Sequence, residues 1–170
     1  MARNMEIKAR VLDRDALIEK ALALNPHEQF ELYQKDTFFN TPQGRLKLRQ
    51  FKDGSAELIF YHRPDQAGPK LSTYSRCPVT HAEELAQTLE QAYGVRGVVE
   101  KIRHVYLVGQ TRIHVDKVTN LGDFMELEVV LEDHETLEYG ETVAKDLLKA
   151  LEIDQSQLIE GAYMDLLLAT

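Results

Sequence analysis

The sequence is poor in cysteine and has no tryptophan: its 170 residues include one cysteine, Cys77. A single thiol excludes an intrachain disulfide framework and a zinc site built on cysteines, so a reducing, cytoplasmic setting is expected. Hydrophobic runs are short, because none approaches the roughly 18 residues that a membrane-spanning helix needs. The opening residues lack the apolar stretch of a signal peptide. The sequence therefore predicts a cytoplasmic protein with no membrane partner, and its length predicts one domain over residues 1–170.

Positive charge is also scarce, since 20 Lys and Arg residues against 28 Asp and Glu residues give a net charge of −8. Proteins dedicated to nucleic acids usually carry a net positive charge, so no nucleic-acid partner is expected. The charge is unevenly distributed: acids dominate residues 132–160, whereas most bases lie before residue 118. A basic region within an acidic protein favours a small anionic ligand over a long polyanion.

Alternation of apolar and polar residues predicts strands at 3–12, 30–39, 45–51, 56–63, 70–79, 97–108, 111–118 and 124–132. Helical spacing predicts helices over 14–24, 80–93 and 136–151, and a last apolar piece over 158–168 is expected to pack on the sheet. Asp13 and the sequence Thr80-His81-Ala82-Glu83 are expected to cap the first two helices. Turn sequences such as Asp53-Gly54 favour antiparallel pairing. The predicted fold class is α+β.

Several of these strands carry charge where a half-buried sheet usually has small polar residues. The charged faces hold Asn4, Glu6 and Lys8; Arg45, Lys47 and Arg49; Lys101 and Arg103; Arg112, His114 and Asp116; and Glu126 and Glu128. A single charged face is ordinarily exposed to solvent, but several in one small antiparallel protein favour a closed barrel whose lumen they line. Because like charges facing each other across a sheet repel, such a lumen needs a ligand that balances them.

The residue types on these faces indicate the ligand. Arginine and lysine suit phosphate oxygens, and the basic candidates are Lys8, Arg45, Lys47, Arg49, Arg63, Arg76, Lys101, Arg103 and Arg112. Carboxylates two apart on a strand lie about 6–7 Å apart on one face, close enough to share a hard divalent cation. The acidic candidates are Glu6, Asp116, Glu126 and Glu128. The pattern predicts a polyphosphate bound together with Mg²⁺ or Mn²⁺.

Short motifs follow one another along nearly the whole chain. They are Asn4-Met5-Glu6-Ile7-Lys8, Gln34-x-Asp36-x-Phe38-Phe39, Arg45-Leu46-Lys47-Leu48-Arg49, Lys101-Ile102-Arg103-x-x-Tyr106, Arg112-x-His114-x-Asp116 and Leu121-Gly122-x-Phe124-x-Glu126-x-Glu128. Their order resembles the CYTH superfamily of triphosphate tunnel metalloenzymes, which includes class IV adenylyl cyclases, thiamine triphosphatases and inorganic tripolyphosphatases. The resemblance implies one CYTH-like domain: an eight-stranded antiparallel closed barrel, or tunnel, with helices packed outside.

The resemblance also implies roles for the matching residues. Glu6, Glu126 and Glu128 match metal-binding acids, and Asp116 matches an acid near them. The basic lining that holds the triphosphate is matched by Lys8, Arg45, Lys47, Arg49, Lys101, Arg103 and Arg112, and Lys8 is the expected catalytic residue. Asn4 departs from the Glu-x-Glu-x-Lys pattern, because its neutral amide oxygen can bind a cation only weakly. A further tunnel lysine of the family, two residues before a proline, falls on His62. Arg63 is the candidate replacement for it, although Arg63 faces the other side of a regular strand.

The resemblance implies a divalent-metal-dependent enzyme whose partner is a small-molecule triphosphate. A triphosphatase is the first expectation. A class IV adenylyl cyclase, which converts ATP to cAMP and pyrophosphate, is the alternative, and a non-catalytic polyphosphate- or nucleotide-binding module is the second alternative. The acidic face of the predicted helix over 136–151 is a candidate contact for a homodimer.

Overall fold

The computed structural model describes residues 2–64 and 66–168. The described strands are β1 (Ala2–Arg10), β2 (Glu28–Phe39), β3 (Arg45–Phe51), β4 (Ala56–His62), β5 (Lys70–Val79), β6 (Val95–Val108), β7 (Thr111–Val118) and β8 (Gly122–Leu131). The helices are α1 (Arg14–Ala23), α2 (Ala82–Tyr93), α3 (Leu137–Ala150) and α4 (Tyr163–Leu168), with a 3₁₀ turn at Gln155–Gln157. The strands form a closed antiparallel barrel in the order β1-β5-β4-β3-β2-β6-β7-β8. The predicted α+β fold with an eight-stranded closed barrel is confirmed.

Strand β1 closes the barrel by pairing with both β5 and β8. Glu6 lies opposite Lys70 on one side and opposite Glu128 on the other. Alternation along β1 sends Asn4, Glu6 and Lys8 into the lumen, where all three are buried. The intervening apolar side chains point outward. The charged faces of the sequence therefore lie inside the barrel, as the pattern predicts.

The helices cover the outer surface of the barrel and bury its apolar faces. Helices α1 and α3 pack over β1, β7 and β8, with Ile7, Leu17 and Leu148 in one hydrophobic cluster. Helix α2 packs over β2, β3 and β4 through Leu85 and Leu89. Among residues 2–64 and 66–168, no helix combines the length and hydrophobicity that crossing a membrane requires.

The helix caps agree with the sequence at one position and differ at another. Asp13 accepts a hydrogen bond from the backbone N–H of Ala16 at 3.1 Å, which confirms the predicted cap of α1. The capping box predicted at Thr80 does not form, because α2 begins later and its cap position is His81, whose side chain makes no capping hydrogen bond. Packing of the apolar stripe of α2 on the barrel fixes its start, so the local capping preference is overridden.

Helix α4 lies across one end of the barrel. Tyr163 and Met164 are buried against Phe38 and Phe124, so the apolar piece predicted to pack on the sheet closes one opening of the lumen. Gly97 permits this approach, because a Cβ at that position would lie 2.5 Å from the sulfur of Met164.

Asp165 fastens α4 to the barrel, and we expect Asp165→Asn to loosen it. The carboxylate accepts hydrogen bonds from Arg45 at 2.8 Å, Arg96 at 3.1 Å and the backbone N–H of Ala162 at 2.9 Å. Because this carboxylate is partly exposed, the expected loss of unfolding free energy is only about 0.5–1 kcal/mol, measured by urea denaturation at neutral pH. Asp146→Asn, an exposed change on α3, is the matched control.

The pH dependence of this effect has a definite sign. Burial acts to raise the pKa of Asp165, but the hydrogen bonds from Arg45 and the Ala162 N–H lower it below its ordinary value. A lowered pKa stabilises the fold above the unfolded-state pKa of about 3.9, and this contribution disappears as pH falls through the folded-state pKa. The difference between wild type and Asp165→Asn should therefore shrink below about pH 4. A difference that stayed constant down to pH 3 would contradict this account.

Candidate active site

One half of the lumen holds a cation cluster, which consists of Lys47, Arg49 and Lys101 around Asp36. Arg49 donates two hydrogen bonds to Asp36, at 2.8 and 2.7 Å. The Nζ atoms of Lys101 and Lys47 lie 3.1 and 3.3 Å from the same carboxylate. Burial acts to raise the pKa of Asp36, but Arg49 and the two lysines hold it well below its ordinary value. Three cations share one carboxylate, so the cluster has positive charge available for an anion.

A second buried pair stands beside this cluster. Arg103 donates hydrogen bonds to Asp116 at 2.7 and 2.8 Å, and the Tyr163 hydroxyl donates a third at 2.8 Å. These donors occupy both carboxylate oxygens of Asp116. The geometry therefore makes Asp116 a group that positions Arg103.

The other half of the lumen holds an acid cluster, formed by Glu6, Glu126, Glu128 and His114. Ligand atoms of Glu126, Glu128 and His114 all lie within 4.8 Å of one another. Oε1 of Glu128 is buried without a hydrogen-bond partner among the described residues, although Nη1 of Arg112 lies 3.6 Å away. Burial and the negative charges of Glu126 and Glu128 raise the pKa of Glu6 to about 7.

These features fit a divalent cation. Carboxylate oxygens and an imidazole nitrogen are suitable ligands, and a bound cation would relieve the repulsion between buried acids. Glu6 is oriented beside the group by hydrogen bonds from Ser72, at 2.9 Å, and from Tyr74. The expected metal-binding set of Glu6, Glu126 and Glu128 is thus gathered in one place, and His114 joins it. On sequence alone, His114 lies on a charged strand face and is not among the metal-binding candidates.

Lys8 lies between the two halves of the lumen. Its Nζ is 3.5 Å from Oε2 of Glu126 and 4.0 Å from the centre of the Tyr163 ring. Burial, reinforced by the positive charge of Arg63, lowers the pKa of Lys8 to about 7. Lys8 is therefore a lumen amine suited to change protonation near neutral pH.

The structure places the remaining predicted residues at the edges of the lumen. Arg63 enters the lumen and lies 3.3 Å from Glu6 and 3.8 Å from Glu126. His62, on which the family's lysine position falls, is instead exposed and packs edge-on against Phe60. The physical reason is alternation: Ile59 and Tyr61 face the lumen, so the next lumen position is Arg63.

The other three predicted phosphate ligands each lie beside an acid outside the cation cluster. Arg45 is held by Asp165 at the α4 end of the barrel. Arg76 lies 3.9 Å from Glu57, and Arg112 lies 3.6 Å from Glu128, with the side chains of both arginines more than one-third exposed. Asn4 is buried on the lumen face of β1, opposite Ser72 in register.

Sequence reasoning assigned no role to several lumen residues that the structure brings into the site. They are Asp36, Ser72, Tyr74, Tyr163 and Lys70, whose Nζ donates to the backbone oxygen of Gln66 at 2.8 Å. The available signal was the alternation of polar side chains along β5, where Lys70, Ser72, Tyr74 and Arg76 occupy every second position.

A closed antiparallel barrel with basic and acidic side chains in its lumen is the architecture of a triphosphate tunnel. The CYTH domain family matches residues 2–163, and the chain belongs to this family. Adenylate cyclase CyaB of Aeromonas hydrophila is 29% identical over 172 residues, which cover 96% of this chain and 87% of the relative.

Solved structures show the same fold. The PH1012 protein of Pyrococcus horikoshii OT3 superposes with a TM-score of 0.85 at 21% identity, covering 95% of this chain and 98% of that chain. HpAC1 from Hippeastrum superposes with a TM-score of 0.62 at 14% identity, covering 90% and 89% of the two chains. HpAC1 is described as having a dominant triphosphatase activity.

Proposed function

We propose that this protein is a divalent-metal-dependent triphosphatase that binds its substrate in the barrel lumen. The observation that carries the proposal is the juxtaposition of the cation cluster and the acid cluster in one buried space. Lys8, Arg49, Lys101, Arg103, Glu126 and Glu128 all line the same cavity. Phosphate oxygens bind to basic side chains, and a divalent cation binds to carboxylates. The cation cluster and the acid cluster together therefore suit a metal-bound polyphosphate.

The arginines of the lumen are held ready to bind phosphate. Arg49 uses Nε and Nη2 to contact Asp36, and Arg103 uses Nε and Nη2 to contact Asp116. In each guanidinium the Nη1 group remains outside the paired edge and can donate to a phosphate oxygen. Because the aspartates fix both guanidinium planes, little reorganisation is needed as negative charge develops during phosphoryl transfer.

Glu126 and Glu128 would hold the Mg²⁺ or Mn²⁺, with Glu6 and His114 beside them. When bound, the ion would neutralise charge on the phosphate oxygens and activate water. Ser72, Tyr74 and Arg63 keep the Glu6 carboxylate turned toward this group. The chain thus supplies the acids and their orientation.

Lys8 is the proposed catalytic residue. Since its pKa is about 7, both the neutral amine and the ammonium are populated near neutral pH, which suits a group that accepts and returns a proton. Its position beside Glu126 places this proton at the boundary between the acid cluster and the phosphate-binding side.

A class IV adenylyl cyclase is the second candidate, and the 29% identity to the relative named adenylate cyclase CyaB favours it. In that reaction the lumen would hold the triphosphate of ATP. The ribose 3′-hydroxyl would lose its proton and bond to the α-phosphorus, and the bond from the α-phosphorus to the bridging oxygen would break to release pyrophosphate. The same cations serve both reactions, so the products distinguish them.

The test is incubation of the full chain with ATP, thiamine triphosphate and tripolyphosphate, each with Mg²⁺ and with Mn²⁺. Release of orthophosphate supports the triphosphatase. Lys8→Met is the control variant and is expected to be inactive. Release of cyclic AMP together with pyrophosphate would instead support the class IV adenylyl cyclase. Tight binding of every triphosphate without any turnover would overturn the enzymatic proposal in favour of a binding module.

Asn4→Glu is expected to lower the concentration of free metal needed for half-maximal turnover by about tenfold, because ligand charge strongly tunes cation affinity. Asn4 lies on the lumen face of β1, two residues before Glu6. Titration of turnover against free Mg²⁺ and Mn²⁺ measures the effect, and Asn4→Gln, which keeps a neutral amide, is the control. An unchanged or higher metal requirement in Asn4→Glu would show that position 4 is not a weakened ligand position.

A further inference from the structure

Tyr163, the first residue of α4, enters the lumen and faces the proposed catalytic residue. The Nζ of Lys8 lies 4.0 Å from the centre of the Tyr163 ring, whereas the Nζ of Lys101 lies 5.8 Å away. Tyr163 is buried and lines the same cavity as Lys8. A cation within about 6 Å of an aromatic face is attracted to it, and the attraction is stronger where water is excluded. The Tyr163 ring therefore provides a binding surface for the Lys8 ammonium.

The backbone ties this ring to the strand that carries Lys8. Before α4 begins, the backbone N–H of Ile159 donates a hydrogen bond to the backbone oxygen of Lys8 at 3.0 Å. The chain then turns into α4 at Gly161, whose φ of 74° lies in the region that favours glycine. Tyr163 is thereby held close to the part of β1 from which the amine projects.

Two further contacts fix the orientation of the ring. The hydroxyl of Tyr163 donates a hydrogen bond to Oδ2 of Asp116 at 2.8 Å, and Asp116 is itself held by Arg103. The ring also packs against Phe124, with 5.1 Å between the ring centres and 56° between the ring planes. Since the ring cannot rotate away from Lys8 without losing one of these contacts, it is a rigid partner for the amine.

The charged partner of Lys8 holds the amine more loosely. Its Nζ lies 3.5 Å from Oε2 of Glu126, which is longer than the roughly 2.7–2.9 Å of a strong charge-assisted hydrogen bond. Glu126 is also proposed to bind the divalent cation, and a carboxylate that shares its charge with a cation attracts an ammonium less. The aromatic face carries no net charge to be neutralised, so its attraction for Lys8 persists when metal binds.

From this geometry we propose that Tyr163 is a positioning residue for the reaction, because its ring holds the Lys8 amine at the boundary between the acid cluster and the phosphate-binding side. The proposal rests on the proposed function, since it takes Lys8 as the catalytic residue. Helix α4 then does more than close one opening of the lumen: it supplies a wall of the site that determines where the Lys8 amine lies.

The first test is spectroscopic and needs no turnover. An aromatic ring current moves the resonances of protons above the ring face upfield. The ε-methylene protons of Lys8 should therefore resonate upfield of those of the exposed Lys52 in the metal-free full chain, and loss of the signal in Lys8→Met assigns it. Tyr163→Phe should keep this upfield shift, and Tyr163→Leu should abolish it. Wild-type Lys8 protons that resonate with those of Lys52 would overturn the proposal, whether or not Tyr163→Leu folds.

The second test is kinetic and uses whichever of ATP, thiamine triphosphate and tripolyphosphate the wild type turns over, at saturating Mg²⁺ or Mn²⁺. Tyr163→Leu should lower kcat at least about tenfold, because misplacing a catalytic group by about 1 Å costs up to about 100-fold. The values of kcat and kcat/KM should fall together, since the lost contact acts on the amine and not on substrate binding. Tyr163→Phe should retain most of the wild-type kcat, because it keeps the ring.

Met164→Leu is the matched control and should leave kcat unchanged. It is a volume-conserving change at the next buried residue of α4, and Met164 lines a cavity with Val98 and Leu168 instead of the lumen cavity. Equal losses of kcat in Tyr163→Leu and Met164→Leu, or in Tyr163→Leu and Tyr163→Phe, would overturn the proposal.

The two tests also separate this proposal from the proposed function. A wild type that turns over no triphosphate but shows the upfield Lys8 signal would overturn the proposed function and support the contact between ring and amine. A wild type that turns over a triphosphate but shows an unshifted Lys8 signal would overturn this proposal alone.

Discussion

Replacing Glu126 or Glu128 by glutamine is expected to lower metal-dependent turnover by at least about 100-fold, because even indirect partners of metal ligands can change activity by this factor. Both side chains lie on the lumen face of β8, and with His114 they bring ligand atoms within 4.8 Å of one another. Glutamine keeps the size of each side chain but supplies one neutral oxygen in place of a charged carboxylate. Turnover is measured over a range of free Mg²⁺ and Mn²⁺ concentrations.

The fold should survive the change at Glu128. This carboxylate crowds Glu6, and its Oε1 lacks a hydrogen-bond partner among the described residues, so neutralising it relieves repulsion without leaving a fully buried cation unpaired. Thermal unfolding of Glu128→Gln without metal should therefore match or exceed that of wild type. Glu138→Gln, an exposed change on α3, is the matched control. Wild-type turnover in both Glu126→Gln and Glu128→Gln would remove the pair from the site.

The lumen lining could be predicted because alternation is a local property of a strand. The spacing of Lys47 and Arg49, or of Glu126 and Glu128, fixes which side chains share a face without any knowledge of neighbouring strands. The capacity of these faces to bind phosphate and metal then follows from residue type. The order of the motifs, which resembles the CYTH family, then predicts that the strands close around one lumen.

Contacts between strands distant in sequence could not be predicted in the same way. Asp36 and Arg103 are far from several of their partners along the chain, and only the register of β2 with β3 and β6, and of β6 with β7, places each against its partner. The role of Asp36 therefore appears only in three dimensions. Likewise, nothing local indicates that Tyr163 reaches back across the barrel end to donate to Asp116.

The lumen position just after the end of β4 was assigned to the wrong residue for a related reason. Assigning the family's lysine to His62 puts the tunnel side chain on the outward face of β4, whereas Tyr61 and Arg63 occupy the inward face. Aligning a motif by its distance from a proline ignores the face of the strand on which each residue lies. The neighbouring side chains decide the face, and here they select Arg63.

Asp36→Asn is expected to destabilise the protein by about 3–5 kcal/mol, the cost of leaving a buried cation without its partner. Asp36 is 1% exposed and is the shared partner of Lys47, Arg49 and Lys101. Burial alone would raise its pKa, but the cations lower it well below the ordinary value. The stabilisation is therefore present above the unfolded-state pKa of about 3.9 and is lost as pH falls toward the folded-state pKa. Urea denaturation at pH 7 and below about pH 3 measures the difference.

The same variant tests whether these cations bind phosphate. Tripolyphosphate supplies negative charge of the kind that Asp36→Asn removes. Because a ligand stabilises the folded state according to its affinity, tripolyphosphate should raise the melting temperature of the variant more than that of wild type. Asp146→Asn, on the outer surface of α3, should show the wild-type shift. Equal shifts in Asp36→Asn and wild type would mean that tripolyphosphate does not reach the cation cluster. A larger shift in the variant would mean that Asp36 partly neutralises, in the wild-type protein, the positive charge that binds phosphate.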